Sequence, residues 1–279
     1  MQKVIIIILL AIAGISILAG LLFYFFQEKV IFYPGKLSQD YKFRFRNEFE
    51  EINIPTSDGH TINSLLFRAN NTKGLIFYLH GNADGLNVWG GIAEVYTALG
   101  YDIFMPDYRG YGKSTGSIYS EEQMHNDMQL AYDKMKELYG EDRIVVMGFS
   151  IGTGMASRLA ANNSPRMLIM QAPYYSLKEL IRDIAPIAPP YLIRYKLENY
   201  KYLPQCSMPV TIFHGDKDEV ININSSLRLK EYLKPTDSLI VLKGTGHNQI
   251  TFNVDYIRRL KEILQTNNEI SEKTHTFAE

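Results

Sequence analysis

Residues 143–152 read Arg-Ile-Val-Val-Met-Gly-Phe-Ser-Ile-Gly, and the prediction of the fold starts from this stretch. Residues 143–147 form a short, mostly apolar run of the kind that becomes a buried strand. A Gly-x-Ser-x-Gly motif centred on Ser150 follows, and a helix-like run begins at Ile151. The glycines permit a tight turn between strand and helix, which exposes the serine hydroxyl at the end of the strand. This context predicts that Ser150 is a nucleophile.

The same motif occurs a second time, centred on Ser114. The surrounding sequence, Asp107-Tyr-Arg-Gly-Tyr-Gly-Lys-Ser-Thr-Gly116, is rich in glycine and is typical of a loop. A serine hydroxyl in such a loop usually bonds to nearby backbone. The segment also imitates the end of a phosphate-binding loop, but Asp107 stands where that motif needs its first glycine. We therefore expect a structural role for Ser114 and no nucleotide site.

A serine hydroxyl is a weak nucleophile until a base accepts its proton, and six histidines are available. His247 lies in the turn Gly244-Thr-Gly-His-Asn248, after the last strand-like run, where a loop can place an imidazole beside the serine. We predict that His247 is the base. The other five lie in a hairpin, on a helix flank, in the tail or at strand ends: His60, His125, His275, His80 and His214.

An acid that orients the base is expected at the end of a strand between Ser150 and His247. The segment that follows the strand-like run 210–213 offers Asp216, Asp218 and Glu219. Asp216 is so close to the strand end that it suits the turn itself, and we therefore predict Asp218 as the acid. The alternative is that Asp218 is only a turn residue.

Two backbone N–H groups are needed to bind the oxyanion that forms during acyl transfer. One is expected to be the N–H of Ile151, directly after the nucleophile. The other is expected in the loop His80-Gly-Asn-Ala-Asp84, where Gly81 lets the backbone approach closely. We place this second donor at Asn82.

Strand-like and helix-like runs alternate along most of the chain, which predicts an α/β fold with a mostly parallel central sheet and helices on both faces. Helix-like stretches include 121–139 and 151–161. Two further runs, 49–55 and 60–67, flank a Ser-Asp-Gly turn and predict an antiparallel hairpin at one edge. The strand-like runs are 74–79, 101–105, 143–148, 167–170, 210–213 and 238–242.

The segment 173–206 is too long for a simple connection and carries Pro186, Pro189 and Pro190. We interpret it as a small helical cap inserted over the end of the sheet. The domain is expected to span 29–265, and 266–279 to form a polar, frayed tail.

The amino terminus contains an uncharged run from Val4 to Phe26, long enough to cross a bilayer as a helix. A cleaved signal peptide is the alternative, but its apolar region is usually shorter, about 7–15 residues. The aromatic end of this run also suits a membrane interface. We therefore predict a single-pass membrane anchor over 1–28. Because the tail before the run is very short, we expect the domain on the non-cytoplasmic side.

The composition excludes other classes of function. The formal net charge is −1, so no strong field favours a nucleic-acid partner. Cys206 is the single cysteine, which excludes an internal disulfide framework and a cysteine-rich metal site. We expect neither a metal nor a cofactor, and the oligomeric state is not predicted.

These motifs together resemble the α/β-hydrolase family over roughly 51–265, and they are most similar to its Bem46-like, serine aminopeptidase-like group. The resemblance rests on His80-Gly-Asn-Ala83, the loop around Ser114, Gly148-Phe-Ser-Ile-Gly152, His214-Gly-Asp-Lys-Asp-Glu-Val220 and Gly246-His247. Members of this group often carry an amino-terminal membrane anchor, and some are similar to palmitoyl-protein thioesterases.

The predicted function is hydrolysis of an ester or thioester, from a small-molecule or lipid-like acyl substrate, through an acyl-Ser150 intermediate. One alternative is a peptidase that acts on short peptides. Another is a non-catalytic protein with a hydrolase fold that tethers a partner at the membrane.

Overall fold

Eight strands form the central sheet of the computed structural model, which describes residues 1–185 and 189–276, the last eleven by their backbone alone. Two further short strands pair with each other outside this sheet. In chain order the strands are β1 (Tyr33–Pro34), β2 (Phe49–Pro55), β3 (Thr61–Phe67), β4 (Leu75–Leu79), β5 (Ala83–Asp84), β6 (Asp102–Pro106), β7 (Ile144–Phe149), β8 (Met167–Gln171), β9 (Val210–Gly215) and β10 (Ser238–Leu242).

The order of strands across the sheet is β10-β9-β8-β7-β4-β6-β3-β2. The neighbours from β10 to β6 pair in parallel, whereas β3 pairs antiparallel to β6 and β2 antiparallel to β3. The predicted mostly parallel sheet with an antiparallel hairpin at one edge is therefore confirmed. The separate pair joins β1 to β5 in parallel.

Helices cover both faces of the sheet, as predicted. Alternate residues of β7 point into two different hydrophobic clusters, with Val146 packing in one and Val145 in the other. The first cluster includes Met155, and the second includes Leu260. The helices are α1 (Gln2–Phe26), α2 (Glu28–Ile31), α3 (Leu86–Trp89), α4 (Ala93–Thr97), α5 (Glu121–Tyr139), α6 (Gly152–Asn162), α7 (Leu177–Ile184), α8 (Asn199–Tyr202), α9 (Asn224–Leu229) and α10 (Val254–Thr276).

The segment after β8 is a small helical insertion, which contains α7 and α8, as the sequence predicted. We call residues 173–206 the cap. Pro186, one of the three prolines noted in this segment, lies outside the described residues. Helix α10 continues to Thr276, so the segment predicted as a frayed tail is helical in its backbone as far as that residue. The predicted tail residues 277–279 also lie outside the described part of the chain.

Helix α1 is long and apolar enough to cross a membrane, with a mean hydropathy of 3.0. None of its most apolar window is buried inside the protein. A helix of the protein core would bury at least one face, so this exposure fits a candidate membrane span.

Arg109, in the loop after β6, joins three parts of the domain through two bidentate ion pairs. Its guanidinium donates to both carboxylate oxygens of Asp58 in the hairpin turn, at 2.6 and 2.9 Å. It also donates to both oxygens of Asp127 on α5, at 2.7 and 2.9 Å. The Arg109 side chain is only 4% exposed and that of Asp127 only 6%. Removal of the cation would leave a buried carboxylate without its partner.

We therefore expect Arg109→Ala to lower the free energy of unfolding by about 3–5 kcal/mol, the usual effect of breaking a buried ion pair. Urea titration of the full chain in detergent measures this change. Arg258→Ala is the matched control, because Arg258 is half exposed and pairs with Asp255 on the surface of α10. That control should change stability by less than about 1 kcal/mol. Equal losses in the two variants would contradict the structural role of Arg109.

Candidate active site

Ser150 lies at the carboxyl end of β7, on the turn that leads into α6. Its backbone has a φ of +53°, a left-handed conformation that is strained for a residue with a side chain. The turn is held because the Ser150 N–H donates to the carbonyl of Gln171 on the neighbouring strand β8, at 2.9 Å. A Cβ atom on Gly152 would lie 2.1 Å from the carbonyl oxygen of Leu79. Glycine is therefore required where α6 approaches β4.

His247 lies beside Ser150, in the loop that follows β10. Its Nε2 atom is 3.0 Å from Ser150 Oγ, and its Nδ1 atom is 2.7 Å from Asp218 Oδ2. A carboxylate only accepts hydrogen bonds, so we assign the ring proton to Nδ1. Nε2 then carries the lone pair that can accept the proton of Ser150. The structure thus brings together the three side chains that the sequence predicted as nucleophile, base and acid.

Asp218 serves both the turn and the histidine. Its Oδ1 atom accepts the backbone N–H groups of Val220 at 2.9 Å and Ile221 at 2.8 Å. These bonds fix the carboxylate so that Oδ2 faces His247. Burial alone would raise the pKa of Asp218, but hydrogen bonds from His214 and His247 outweigh it and hold that pKa well below its usual range.

Asp216, the alternative acid, serves a different turn. Its Oδ1 atom accepts the N–H of Gly244 at 2.6 Å, and the residue is exposed. It therefore joins the β9 turn to the loop that precedes His247, as its position near the strand end suggested.

His214 is a neighbour of the site that the sequence did not reveal. This fully buried imidazole has Nδ1 2.7 Å from Ser226 Oγ and Nε2 2.8 Å from the carbonyl oxygen of Ile221. Nε2 faces a carbonyl, so we assign the proton to it. The same atom lies 3.3 Å from Asp218 Oδ2. His214 therefore adds a second donor to the carboxylate, and the spacing of four residues between the two was the available signal.

The two predicted oxyanion donors lie on segments that the structure holds firmly. Ile151 precedes the first residue of α6, where a helix leaves its N–H groups without intrahelical acceptors. The side chain of Asn82 donates to the carbonyl of Ile31 at 2.6 Å and accepts from Tyr111 Oη at 2.9 Å. Gly81 is tightly packed, because a Cβ there would lie 3.0 Å from the Phe149 ring. The roles of Ile151 and Asn82 as donors stay predictions.

Ser114 has the structural role that its loop context indicated. Its Oγ atom accepts from the N–H of Asn63 at 2.8 Å and donates to the carbonyl of Asp107 at 2.9 Å. Both bonds are buried, and they fasten the loop after β6 to β3. The hydroxyl of Ser114 is therefore committed to the backbone.

The cap rests on the helix that follows Ser150. Tyr174 Oη donates to the carbonyl of Ile151 at 3.0 Å, and Asn199 Nδ2 donates to Thr153 Oγ1 at 3.1 Å. Tyr174 and Tyr195 are fully buried, so these cap tyrosines pack rather than line an open pocket. In residues 1–185 and 189–276, no group of three His, Cys, Asp or Glu side chains is arranged to hold a metal ion.

Comparison with known proteins identifies relatives of this chain. Residues 74–184 match the family model described as alpha/beta hydrolase fold. The chain is 31% identical to protein bem46 of Schizosaccharomyces pombe over 222 residues, which cover 73% of this chain and 74% of that protein. It is 29% identical to human alpha/beta hydrolase domain-containing protein 17B over 80% of this chain and 78% of the relative.

A solved structure shares the architecture. An esterase of Pyrococcus furiosus superposes with a TM-score of 0.68 at 20% sequence identity, covering 85% of this chain and 97% of the esterase. At this identity the likeness is one of fold.

Proposed function

Because the chain belongs to the α/β-hydrolase family, we propose that it is a serine hydrolase that cleaves a carboxylic ester or thioester through an acyl-Ser150 intermediate. The observation that carries this proposal is the line of hydrogen bonds from Ser150 Oγ to His247 Nε2 and from His247 Nδ1 to Asp218 Oδ2, at 3.0 and 2.7 Å. A nucleophile, a base and an orienting acid in this geometry are suited to acyl transfer.

In the proposed mechanism, Ser150 Oγ attacks the acyl carbon while His247 Nε2 accepts the hydroxyl proton. The N–H groups of Ile151 and Asn82 bind the oxyanion of the tetrahedral intermediate. His247 then donates its proton to the departing alcohol or thiol, and the bond to the leaving group breaks. A water molecule attacks the acyl-Ser150 ester with His247 again as base, which releases the acid and restores the serine.

We further propose that α1 anchors the hydrolase domain to a membrane and that the domain lies on the non-cytoplasmic side. The exposed apolar surface of α1 supports the anchor. In sealed vesicles of the membrane that carries the chain, oriented with the cytoplasmic face outward, the domain should resist an added protease until detergent opens the vesicles. Degradation in the sealed vesicles would place the domain on the cytoplasmic side.

Treatment with a fluorophosphonate probe tests the reactivity of the site. We expect the folded full chain in detergent to be labelled, because an activated serine attacks the phosphorus atom and displaces fluoride. Ser150→Ala should not be labelled, whereas Ser114→Ala should still react. A folded wild-type chain that does not react, or labelling that survives in Ser150→Ala, would contradict the proposal.

The dependence of activity on pH follows from the charges in the site. The lowered pKa of Asp218 keeps its carboxylate ionised throughout pH 5–8. Its stabilising effect is present above the carboxyl pKa of the unfolded chain and is lost only as pH falls through the lower folded value. Loss of activity in this window is therefore not expected from protonation of Asp218.

We expect Asp218 to contribute no acidic limb to kcat/KM for a short soluble acyl ester between pH 5 and 8, because its carboxylate stays ionised. Initial rates between pH 5 and 8, with circular dichroism as a check that the chain stays folded, measure this profile. An acidic limb in this range that disappears in Asp218→Asn would contradict the lowered pKa of Asp218.

A further inference from the structure

The end of the candidate membrane span is bound to the cap through a buried side chain. Gln27 directly follows α1 and is fully buried. Its Nε2 atom donates to the carbonyl of Leu192 at 3.1 Å, and its Oε1 atom accepts the N–H of Arg194 at 2.8 Å. One amide side chain thus pairs with the cap backbone in both directions, which fixes the cap relative to α1.

Neighbouring residues strengthen this junction. The carboxylate of Glu28 forms an ion pair with Arg194 and accepts from Tyr195 Oη at 2.7 Å. The guanidinium of Arg194 also lies 5.4 Å from the ring centre of Tyr24. Ionic, polar and aromatic contacts therefore join the last turn of α1 to the cap, across 167 positions of sequence.

The cap also reaches along the apolar part of α1. A Cβ atom on Gly20 would lie 3.4 Å from Leu192 Cδ1. Gly20 is about 9 Å from the Phe26 end of the helix at 1.5 Å per residue. The 25 residues of α1 span about 37 Å. The hydrocarbon core of a bilayer is about 30 Å thick. The helix is therefore about 7 Å longer than the hydrocarbon core. Even if all of this extra length lay outside the core at the Phe26 end, Gly20 would be at the hydrocarbon boundary, with Leu192 beside it.

The residues around Leu192 suit this depth. They form a single turn, Pro190–Leu192, and Tyr191 is 82% exposed within it. Tyrosine favours the interface between lipid and water, where its ring meets acyl chains and its hydroxyl meets headgroups. The large exposed fraction of this side chain therefore fits a lipid environment.

The carboxyl edge of the sheet, which carries Ser150, exposes further apolar side chains. Val220 lies two residues after Asp218 and is 51% exposed, and Phe252 lies in the loop that contains His247 and is 62% exposed. The cap contacts this edge through the bond from Tyr174 to Ile151, and it contacts α1 through Gln27. The site and the membrane span are thus linked through one small segment.

We propose that the turn Pro190–Leu192 is seated in the lipid interface of the membrane that α1 crosses, so that Ser150 receives acyl groups presented at that surface. The delivery of acyl groups to Ser150 rests on the proposed function, whereas the contact with lipid does not. The exposed face of this turn contacts the bilayer, because the cap is joined to α1 and Leu192 lies beside the apolar residues of that helix.

Nitroxide labels on single introduced cysteines test the proposal with the full chain in phosphatidylcholine vesicles. Burial raises the pKa of the Cys206 thiol to about 12, so this native cysteine resists labelling. Tyr191→Cys reports on the cap turn. Leu138→Cys is the matched control, because Leu138 is 57% exposed near the end of α5, at the opposite edge of the sheet.

We expect the label at position 191 to collide more often with oxygen than with a water-soluble nickel chelate, and the label at 138 to show the reverse. Adding Gln27→Ala to Tyr191→Cys should shift position 191 toward the chelate, since the cap loses its attachment. A label at 191 that is as accessible to the chelate as the label at 138 would overturn the proposal. Broadening of the nitroxide spectrum that disappears on dilution with unlabelled protein would also overturn the proposal, because it would show that a second copy of the chain contacts this turn.

The fluorophosphonate reaction of the same preparations separates the two claims. A labelled chain that reacts with the probe but has position 191 in water would refute the membrane contact alone. A chain with position 191 in lipid that does not react would refute the proposed hydrolase and leave the membrane contact standing.

Discussion

Replacement of Ser150 by alanine is expected to lower kcat/KM for a short soluble acyl ester by a factor of about 10⁴–10⁶. The variant retains the amides of Ile151 and Asn82 and the positions of His247 and Asp218, but it has no atom that can form the acyl intermediate. Steady-state hydrolysis of the ester by the full chain in detergent measures the change.

Ser114→Ala is the control for this experiment, because Ser114 stands at the centre of the same motif. Its two buried backbone bonds are lost, which should cost about 1–3 kcal/mol of stability. The kcat/KM of Ser114→Ala should stay within about threefold of the wild-type value at a temperature where the chain is folded, since the folded molecules keep an intact site. Equal losses of activity in the two variants would show that Ser150 has no special role.

Asp218→Asn is expected to lower kcat/KM by about 10⁴, the effect of the same change in a well-characterised serine protease triad. An asparagine can donate its N–H₂ group to His247 Nδ1, which favours the tautomer with the proton on Nε2. That proton would then face Ser150, and the base would lose its lone pair. Steady-state rates of the variant and the wild type at the same pH measure this loss.

Asp216→Asn provides the matched control in the same loop. The amide oxygen can still accept the N–H of Gly244, so the turn is preserved. Activity should therefore remain within about twofold of the wild-type value. If Asp216→Asn were the more damaging change, the acid would be Asp216 and the assignment of Asp218 would be wrong.

The sequence predicted the fold because its signals are local and periodic. The strand that ends before Ser150 and the helix that begins after it are both visible as apolar runs, and the same context separated Ser150 from Ser114. The pair of short strands β1 and β5 escaped prediction, since two residues cannot show a period.

A site residue could be predicted from the sequence where few residues of its type occur in a suitable context. His247 stands in a glycine-containing turn after the last strand, apart from the other five histidines. Asp218 and Asp216 could not be separated by sequence on firm grounds, because two aspartates in one loop differ only in the direction of their side chains. The structure distinguishes them by the hydrogen bonds that each carboxylate accepts.

Contacts between distant segments were invisible in the sequence. The bonds from Gln27 to the cap join residues that are 165 and 167 positions apart. Neither partner has a motif, and glutamine next to an apolar helix is usually an exposed flanking residue. The attachment of the cap to the end of α1 is therefore visible only in the folded structure.

Mass spectrometry of the chain during turnover tests most directly whether acyl groups are transferred to Ser150. The full chain in detergent is mixed with a short acyl ester, quenched in acid within the first turnovers, and digested for peptide mapping. We expect one acyl group on the peptide that contains Ser150, and this group should disappear when the substrate is exhausted. Continued hydrolysis without acylation of Ser150, or with the acyl group on another residue, would contradict the proposed acyl-Ser150 intermediate.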